Sequence, residues 1–439
     1  MRIGAEKTTG WRATVSVAMS NYIEAGSIIA IAVSLSLWQK EFGVGDLAVG
    51  LLAALSANAF GAAAGALVGG WMCDRFGRKF IYTYDLLVYM VGVLLAAFAV
   101  SYGMLLAGFV ITGLAVGAGV PASWTFIAEQ APARDRGRHV GTAQLAWSVG
   151  PMVGFALAIL VVPLGLLGSR LIFLHLFVVA AVTWWMRQGL SESTLWKEAQ
   201  SDDVEPASGA GVRALLSRRA NITALLFLFG VYGFWNLVAG QAGIFMPRVY
   251  DAAGLSSPAG QNALQVLVWG CTTLATWFGF MRFADRVDRR KLYLIGATLG
   301  IVAWALLSYA PGTLPVLMTF AVVWGVSAGL GAQAFYSVWT SELFATRYRA
   351  TAQGVLFFAA RCAVGGLSYA FPVLLDQKGV PFVGTLLLGS LLVTLVVGVV
   401  WAPSTQGRTL REIEQDRYER PSADAGAGAG ARADGRMAQ

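Results

Sequence analysis

The chain has 439 residues, 57% of them hydrophobic and only 13% charged, and its mean hydropathy is +0.63. So few charges cannot cover a soluble protein of this length, which excludes the water-soluble classes. The net charge of +8 excludes a nucleic-acid binder too, because the basic residues are scattered over loops and form no patch interleaved with aromatics.

Apolar runs long enough to cross a core of about 30 Å recur twelve times. They cover 13–38, 47–71, 80–100, 104–128, 139–161 and 169–187, then 220–246, 262–284, 291–310, 314–340, 350–375 and 382–402. Weak alternation and abundant Gly and Ala predict closely packed helices and not a barrel. The expected fold class is therefore an all-α polytopic membrane protein of twelve transmembrane helices. The first run is too long for a signal-peptide core and no small-residue cleavage site follows it, so it reads as an uncleaved span. Loops leaving the even-numbered spans hold Arg75, Arg78, Lys79, Arg134, Arg136, Arg138, Arg286 and Arg289, whereas the opposite loops hold Lys40, Arg170, Arg248 and Lys378. That bias places both termini and the charged loops in the cytoplasm. Residues 188–219 read as a polar linker, and 403–439 as a mostly disordered cytoplasmic tail ending in alternating Ala and Gly. The expected units are 1–187, 188–219, 220–402 and 403–439. Cys73 falls in a charged loop and Cys271 and Cys362 within spans, so neither disulfide nor zinc spacing exists.

Two unrelated loop motifs each occur twice. Gly70, Asp74, Arg75, Gly77, Arg78 and Lys79 spell G-x-x-x-D-R-x-G-R-K, and Asp285, Arg286, Arg289 and Arg290 form a worn copy 211 residues later. Glu129, Pro132, Arg136 and Gly137 spell E-x-x-P-x-x-x-R-G, echoed by Glu342, Arg349 and Ala350 at an offset of 213. One offset shared by two motifs implies two duplicated six-helix halves. Transporters are commonly built in this way, with the working site between the repeats.

On these motifs the chain resembles transporters of the major facilitator superfamily, and within it the sugar porters and related metabolite–proton symporters. Ser191, Glu192, Ser193 and Trp196 are similar to the P-E-S-P-R-W signature of sugar porters, without its prolines and arginine. There are departures. Phe109 stands where sugar porters carry a fourth-helix arginine, and only Asn236 remains of their seventh-helix Q-Q-x-x-G-x-N signature. Arg361 is more typical of organic-acid and metabolite symporters. The resemblance implies gating contacts, made in one state and broken in the other, for Asp74, Arg75, Arg78, Glu129, Arg136, Asp285, Arg286, Glu342 and Arg349.

Glu24 lies about 12 residues into the first span, roughly 18 Å from its end. A carboxylate at that depth is costly and marks a functional site. Tyr22 and Gly26 flank it as in the family's Y-D-x-G-V segment, whose acidic residue couples protons. Arg361, about 11 residues or roughly 16 Å into the eleventh span, needs a partner such as Glu24 or an anionic substrate. Glu24 and Arg361 are the expected proton-coupling pair. Gln144 stands where sugar porters place a sugar-contacting glutamine, and an amide offers both a donor and an acceptor to hydroxyls. Asn58, Asn236, Trp124, Trp147, Trp235, Gln241, Gln333 and Tyr336 are further substrate-site candidates. Asp85 and His175 read as helix-contact groups.

The expected function is alternating-access import of a small polar metabolite, a sugar or polyol, coupled to protons. An organic-acid symporter is the alternative, followed by an efflux antiporter, whose motif Gly150, Pro151 and Gly154 match in part. No nucleotide loop, metal spacing or catalytic motif occurs, so neither enzyme activity nor a cofactor is expected. The expected partners are a small-molecule substrate, protons and the lipid bilayer, with the chain a monomer in a bacterial inner membrane.

Overall fold

The computed structural model describes residues 10–201 and 211–418, and all its regular elements are helices. In lipid each backbone N–H and C=O must find an internal partner, and helices satisfy that requirement within one segment. The first six spans are α1 (Gly10–Phe42), α2 (Leu47–Phe76), α3 (Arg78–Ala97), α4 (Tyr102–Gln130), α5 (Arg136–Val161) and α6 (Leu166–Arg187). The next four are α7 (Arg219–Ile244), α8 (Pro258–Phe283), α9 (Arg289–Tyr309) and α10 (Leu314–Leu343). A continuous helical stretch then runs from Arg349 to Val400, 52 residues. At 1.5 Å per residue it would be about 78 Å long, far more than one membrane thickness. Gly379, at φ 75°, reverses the chain inside it, so it comprises two spans, α11 (349–378) and α12 (380–400). The twelve spans form the two six-helix halves that the duplication implies.

Small residues set the helix spacing. Gly65 and Gly69 on α2 lie against the backbone of Leu114 and Ala118 on α4, and Gly117 on α4 lies against Ala62 on α2. Such contacts drive helix association where both lipid and side chains are apolar. The outward faces are apolar, with Val91, Leu160, Trp185, Leu226 and Trp277 exposed.

Three spans are irregular near mid-membrane and a fourth, α8, toward its basic end. α2 breaks between Leu55 and Phe60, α7 and α8 contain π-turns at Phe229–Gly233 and Ala275–Phe280, and α10 breaks at Gly331. Irregular backbone at this depth is tolerated where protein buries it, and there it marks a working site.

Two expectations need amendment. Cys73 is not in a loop: the apolar run ends at 71, but α2 continues as a helix through Phe76 and buries the thiol completely. The expected tail is partly a packed helix, Leu410–Tyr418, with Leu410 and Ile413 buried. Residues 419–439, with the Ala-Gly repeat, lie outside the described residues, as do 1–9 and 202–210 of the linker.

Candidate functional site

Glu24 lies on α1 and Arg361 on α11, 1% and 3% exposed, and they form an ion pair between the two halves. Arg361 also donates to the backbone and side-chain oxygens of Asn58 at 3.0 and 3.3 Å. Asn58 is held at the break in α2, where its N–H donates to the Ser56 hydroxyl at 3.2 Å. Trp147 Nε1 on α5 donates to the second carboxylate oxygen of Glu24 at 3.0 Å. The Arg361 guanidinium lies 4.6 Å from the centre of the Phe357 ring. Two ions at this depth persist only because each has a charge partner and further hydrogen bonds.

A cavity of about 10 Å³ adjoins the pair, lined by Asn58, Trp147, Asn236, Trp269 and Arg361 with small and aliphatic residues of α1 and α7. That volume is about one water, so the central site is occluded. Four polar atoms of this lining are buried without a partner: Asn58 Nδ2, Asn236 Oδ1, Trp269 Nε1 and Arg361 Nε. A row of unpaired donors and acceptors is costly unless something polar completes it.

An aromatic layer separates this centre from the basic end of the bundle. Tyr232 stacks on Tyr336 at 3.9 Å, Trp124 meets Tyr336 edge-on at 5.6 Å, and Trp235 stacks beside Tyr232 at 6.2 Å. Trp124 comes from the first half and the other three from the second, so the layer also joins the halves. Trp124 is fixed by donating to Asn21 at 2.9 Å.

At the basic end two charge clusters tie the halves together. In the first, Arg78 contacts Glu129 at 2.7 Å and Asp74 at 3.3 Å, and Arg349 reaches Glu129 at 2.9 Å. Asp74 accepts from the N–H groups of Ala350 and Thr351, at 3.3 and 2.7 Å, and from the Thr351 hydroxyl at 2.8 Å. In the second, Arg136 and Arg289 each hold one oxygen of Glu342 at 2.8 Å. Asp285 contacts Arg289 at 3.1 Å and accepts from the N–H groups of Gly137 and Arg138 at 3.1 and 2.9 Å. Each aspartate thus sits at the N-terminus of a helix in the opposite half, where its charge is favoured.

Of the residues expected at the gate, Asp74, Arg78, Glu129, Arg136, Asp285, Glu342 and Arg349 meet in these clusters. Arg75 does not: it is exposed, with its guanidinium over Trp71 and Phe76. Arg286 is likewise exposed and outside them. Arg289, Thr351 and Thr405, whose hydroxyl donates to Glu342 at 2.6 Å, belong to the clusters and were not expected. Shifting Arg78 by the repeat offset of 211 lands on Arg289, so the sequence held that signal.

Of the expected substrate residues, Asn58, Asn236 and Trp147 line the cavity, while Trp124, Trp235 and Tyr336 form the aromatic layer. Gln241 is turned toward α11, donating to Ser368 at 3.2 Å. Gln144 and Gln333 are buried but do not line the cavity. Trp269 was missed, yet it lies 211 residues after Asn58, its pseudo-symmetric partner, just as Asn236 mirrors Glu24. Asp85 pairs with Arg187 at 3.5 Å, and His175 meets the Tyr22 hydroxyl at 2.8 Å, so both are helix-contact groups.

Two pseudo-symmetric six-helix halves, an occluded polar centre between them and charge clusters across one end define a membrane transporter of the alternating-access kind. The chain belongs to the Major Facilitator Superfamily, whose family model matches residues 13–369. It is 41% identical over 414 residues to the minor myo-inositol transporter IolF of Bacillus subtilis (strain 168), covering 93% of this chain and 94% of that protein. It is 24% identical over 356 residues to the cis,cis-muconate transport protein of Acinetobacter baylyi, covering 77% and 81%. Its fold matches the proton:xylose symporter XylE bound to 6-bromo-6-deoxy-D-glucose, with a TM-score of 0.79 at 19% identity, over 92% of this chain and 98% of that one.

Proposed function

We propose that this protein imports a polyol or sugar together with a proton, and that Glu24 and Arg361 couple the two. The observation that carries the reading is the ion pair formed by these residues across the two halves. With Glu24 charged, the pair holds the centre shut. A proton on Glu24 removes the attraction and frees the Arg361 guanidinium. Hydroxyls of the substrate then complete the unpartnered Asn58, Asn236 and Trp269 groups, each of which can offer or accept one hydrogen bond. A myo-inositol transporter among the relatives supports a polyhydroxylated substrate.

In this reading the basic end faces the cytoplasm of a bacterial inner membrane, with both termini on that side. The charge clusters are then the closed inner gate, and Asp74, Arg78, Glu129, Arg349 and their counterparts separate when the site opens inward. Residues 1–187 and 220–402 are the two moving halves, 188–219 the connector and 403–439 the tail. One chain supplies both halves, so a monomer suffices.

The test is Glu24→Gln. The amide is nearly isosteric and resembles the protonated acid, but it cannot release a proton. Accumulation of labelled myo-inositol against its gradient should vanish in proteoliposomes, while counterflow in substrate-loaded vesicles persists. Undiminished pH-driven accumulation would sink the coupling role.

Arg361 also gives the organic-acid reading a specific footing, since a freed guanidinium grips a carboxylate in a bidentate fork. A muconate transport protein among the relatives points the same way. Competition separates the two. If a labelled dicarboxylate binds, other dicarboxylates displace it and sugars or polyols do not, the substrate is an acid.

A further inference from the structure

Apart from the central site, a side groove of about 670 Å³ is walled by α1, α5 and α8. It runs from Trp11 to Tyr22 along α1, about 16 Å at the helical rise, from the basic end into the membrane-spanning region. Its deep walls are apolar and open to the bilayer: Val15, Trp277 and Phe278 are 43%, 53% and 59% exposed. Its mouth carries Arg134, Arg138, Arg282 and Arg286, all exposed. Among the described residues none of these four has a carboxylate within ion-pair distance. Of the two acids at the mouth, Asp285 is committed to Arg289 and two backbone N–H groups. Arg138 is further held over the Trp11 ring at 5.3 Å.

Against these four guanidinium groups the mouth sets the exposed Asp135 and the already committed Asp285, and the positive excess above an apolar trough matches an anionic headgroup above an acyl chain. We propose that this groove is a binding site for an anionic phospholipid of the leaflet at the basic end. The arginines hold the phosphate and the trough takes one acyl chain. Guanidinium presents phosphate with a planar set of donors, and basic pockets between spans bind acidic headgroups in general. The walls belong to both halves, α1 and α5 to one and α8 to the other. A lipid seated there therefore favours the arrangement in which the groove has this shape.

The proposal names the cytoplasmic leaflet only through the orientation proposed above, and the test is independent of it. Fluorescent short-chain phosphatidylglycerol is titrated into the full-length protein in neutral detergent micelles. Unlabelled phosphatidylglycerol should displace it and phosphatidylcholine should not. With each arginine worth about fivefold near a membrane surface, Arg134→Gln/Arg282→Gln/Arg286→Gln should weaken binding about a hundredfold. Arg219→Gln, an exposed arginine elsewhere at the same end, should leave it unchanged. Ala146→Phe fills the trough with the arginines intact and should also weaken binding. Melting temperature in detergent confirms that each variant is folded. Equal competition by phosphatidylcholine, or equal losses in the triple and Arg219 variants, would overturn the proposal. So would full displacement by glycerol phosphate with no effect of Ala146→Phe, which would leave a soluble-anion site.

Discussion

The two charge clusters are copies of one design, and they differ in what surrounds the same four charges. Asp74, Arg78, Glu129 and Arg349 have their counterparts in Asp285, Arg289, Glu342 and Arg136. In the first cluster α2 lies directly against α11: a Cβ on Gly70 would meet the backbone of Ala350, and one on Gly354 that of Ala66. In the second, Met281 stands where Gly70 does and lies against Gly141, so a side chain fills the gap between α8 and α5. Asp74 is fully buried with three donors from α11, whereas Asp285 is partly exposed with two from α5. The clusters are also buttressed by different segments. The connector serves the first, where Glu192 accepts from the N–H groups of Arg78 and Lys79 at 3.1 and 2.9 Å and Trp196 donates to Asp74 O at 2.8 Å. The tail serves the second, through Thr405 on Glu342 and the Arg408 carbonyl on Arg136 at 3.2 Å. The second copy of the motif lost its glycines and kept the charges that join the halves. What it lost in close backbone packing, the tail replaces.

The asymmetry makes the first cluster the more fragile one. The largest effect is expected from Glu129→Gln, which leaves Arg349 buried without an ion-pair partner and Arg78 with Asp74 alone at 3.3 Å. Breaking such a pair costs about 3–5 kcal/mol, and thermal unfolding in detergent should show it. Glu342→Gln should cost less, because Arg136 keeps the Arg408 carbonyl as a hydrogen-bond acceptor at 3.2 Å and the second cluster is less completely buried. Equal losses would mean that the clusters are equivalent.

Gly70→Met, which copies the second cluster into the first, should cost about 1–3 kcal/mol as overpacking against rigid backbone. Transport should fall severely, because α2 can no longer approach α11. Transport at the wild-type rate would show that close backbone contact is dispensable at both clusters.

Asp74→Asn removes a buried charge contact and should lower turnover strongly while substrate affinity stays within a few-fold, about 1–3 kcal/mol in the gate. The same change at the partly exposed Asp285 should cost about 0.2–1 kcal/mol. Turnover and binding measured on both variants would reverse this ranking if exposure did not matter. Thr405→Val is the mildest, about 0.5–1.5 kcal/mol for one hydrogen bond. Truncation before residue 405 removes this hydrogen bond and the Arg408 carbonyl contact together, so it should cost more than Thr405→Val; an equal loss would show that the rest of the tail adds nothing to the second cluster.

The sequence made the charged architecture legible and the polar centre less so. Charges inside or beside apolar runs stand out, so Glu24, Arg361 and seven residues of the charge clusters could be singled out, and the shared offset tied them into two halves. Arg75 lies outside the clusters because its place on α2 turns it outward over Trp71 and Phe76, and Arg286 because it sits in the exposed turn after α8. Asn58, a polar residue inside an apolar run, could be singled out in the same way as the charges, whereas Trp269 is one of many aromatics in the spans and only the repeat offset from Asn58 marks it. Cys73 was misplaced because hydropathy ends before the helix does. The start of the tail is amphipathic in the sequence, with Leu410 and Ile413 among charges, but the partners that bury them lie on loops distant in sequence.

α11 carries gate and centre on one rod. Arg349 and Thr351 lie at its first turn and Arg361 sits 12 residues further on, about 18 Å along the axis. Under the gating proposed above, such a helix would work as a lever pivoting in the membrane. A tilt of about 10° about the level of Arg361 displaces its end by about 3 Å, enough to carry the Asp74 and Glu129 contacts beyond hydrogen-bonding range. A small rearrangement around one guanidinium therefore reaches the gate without any relay of side chains.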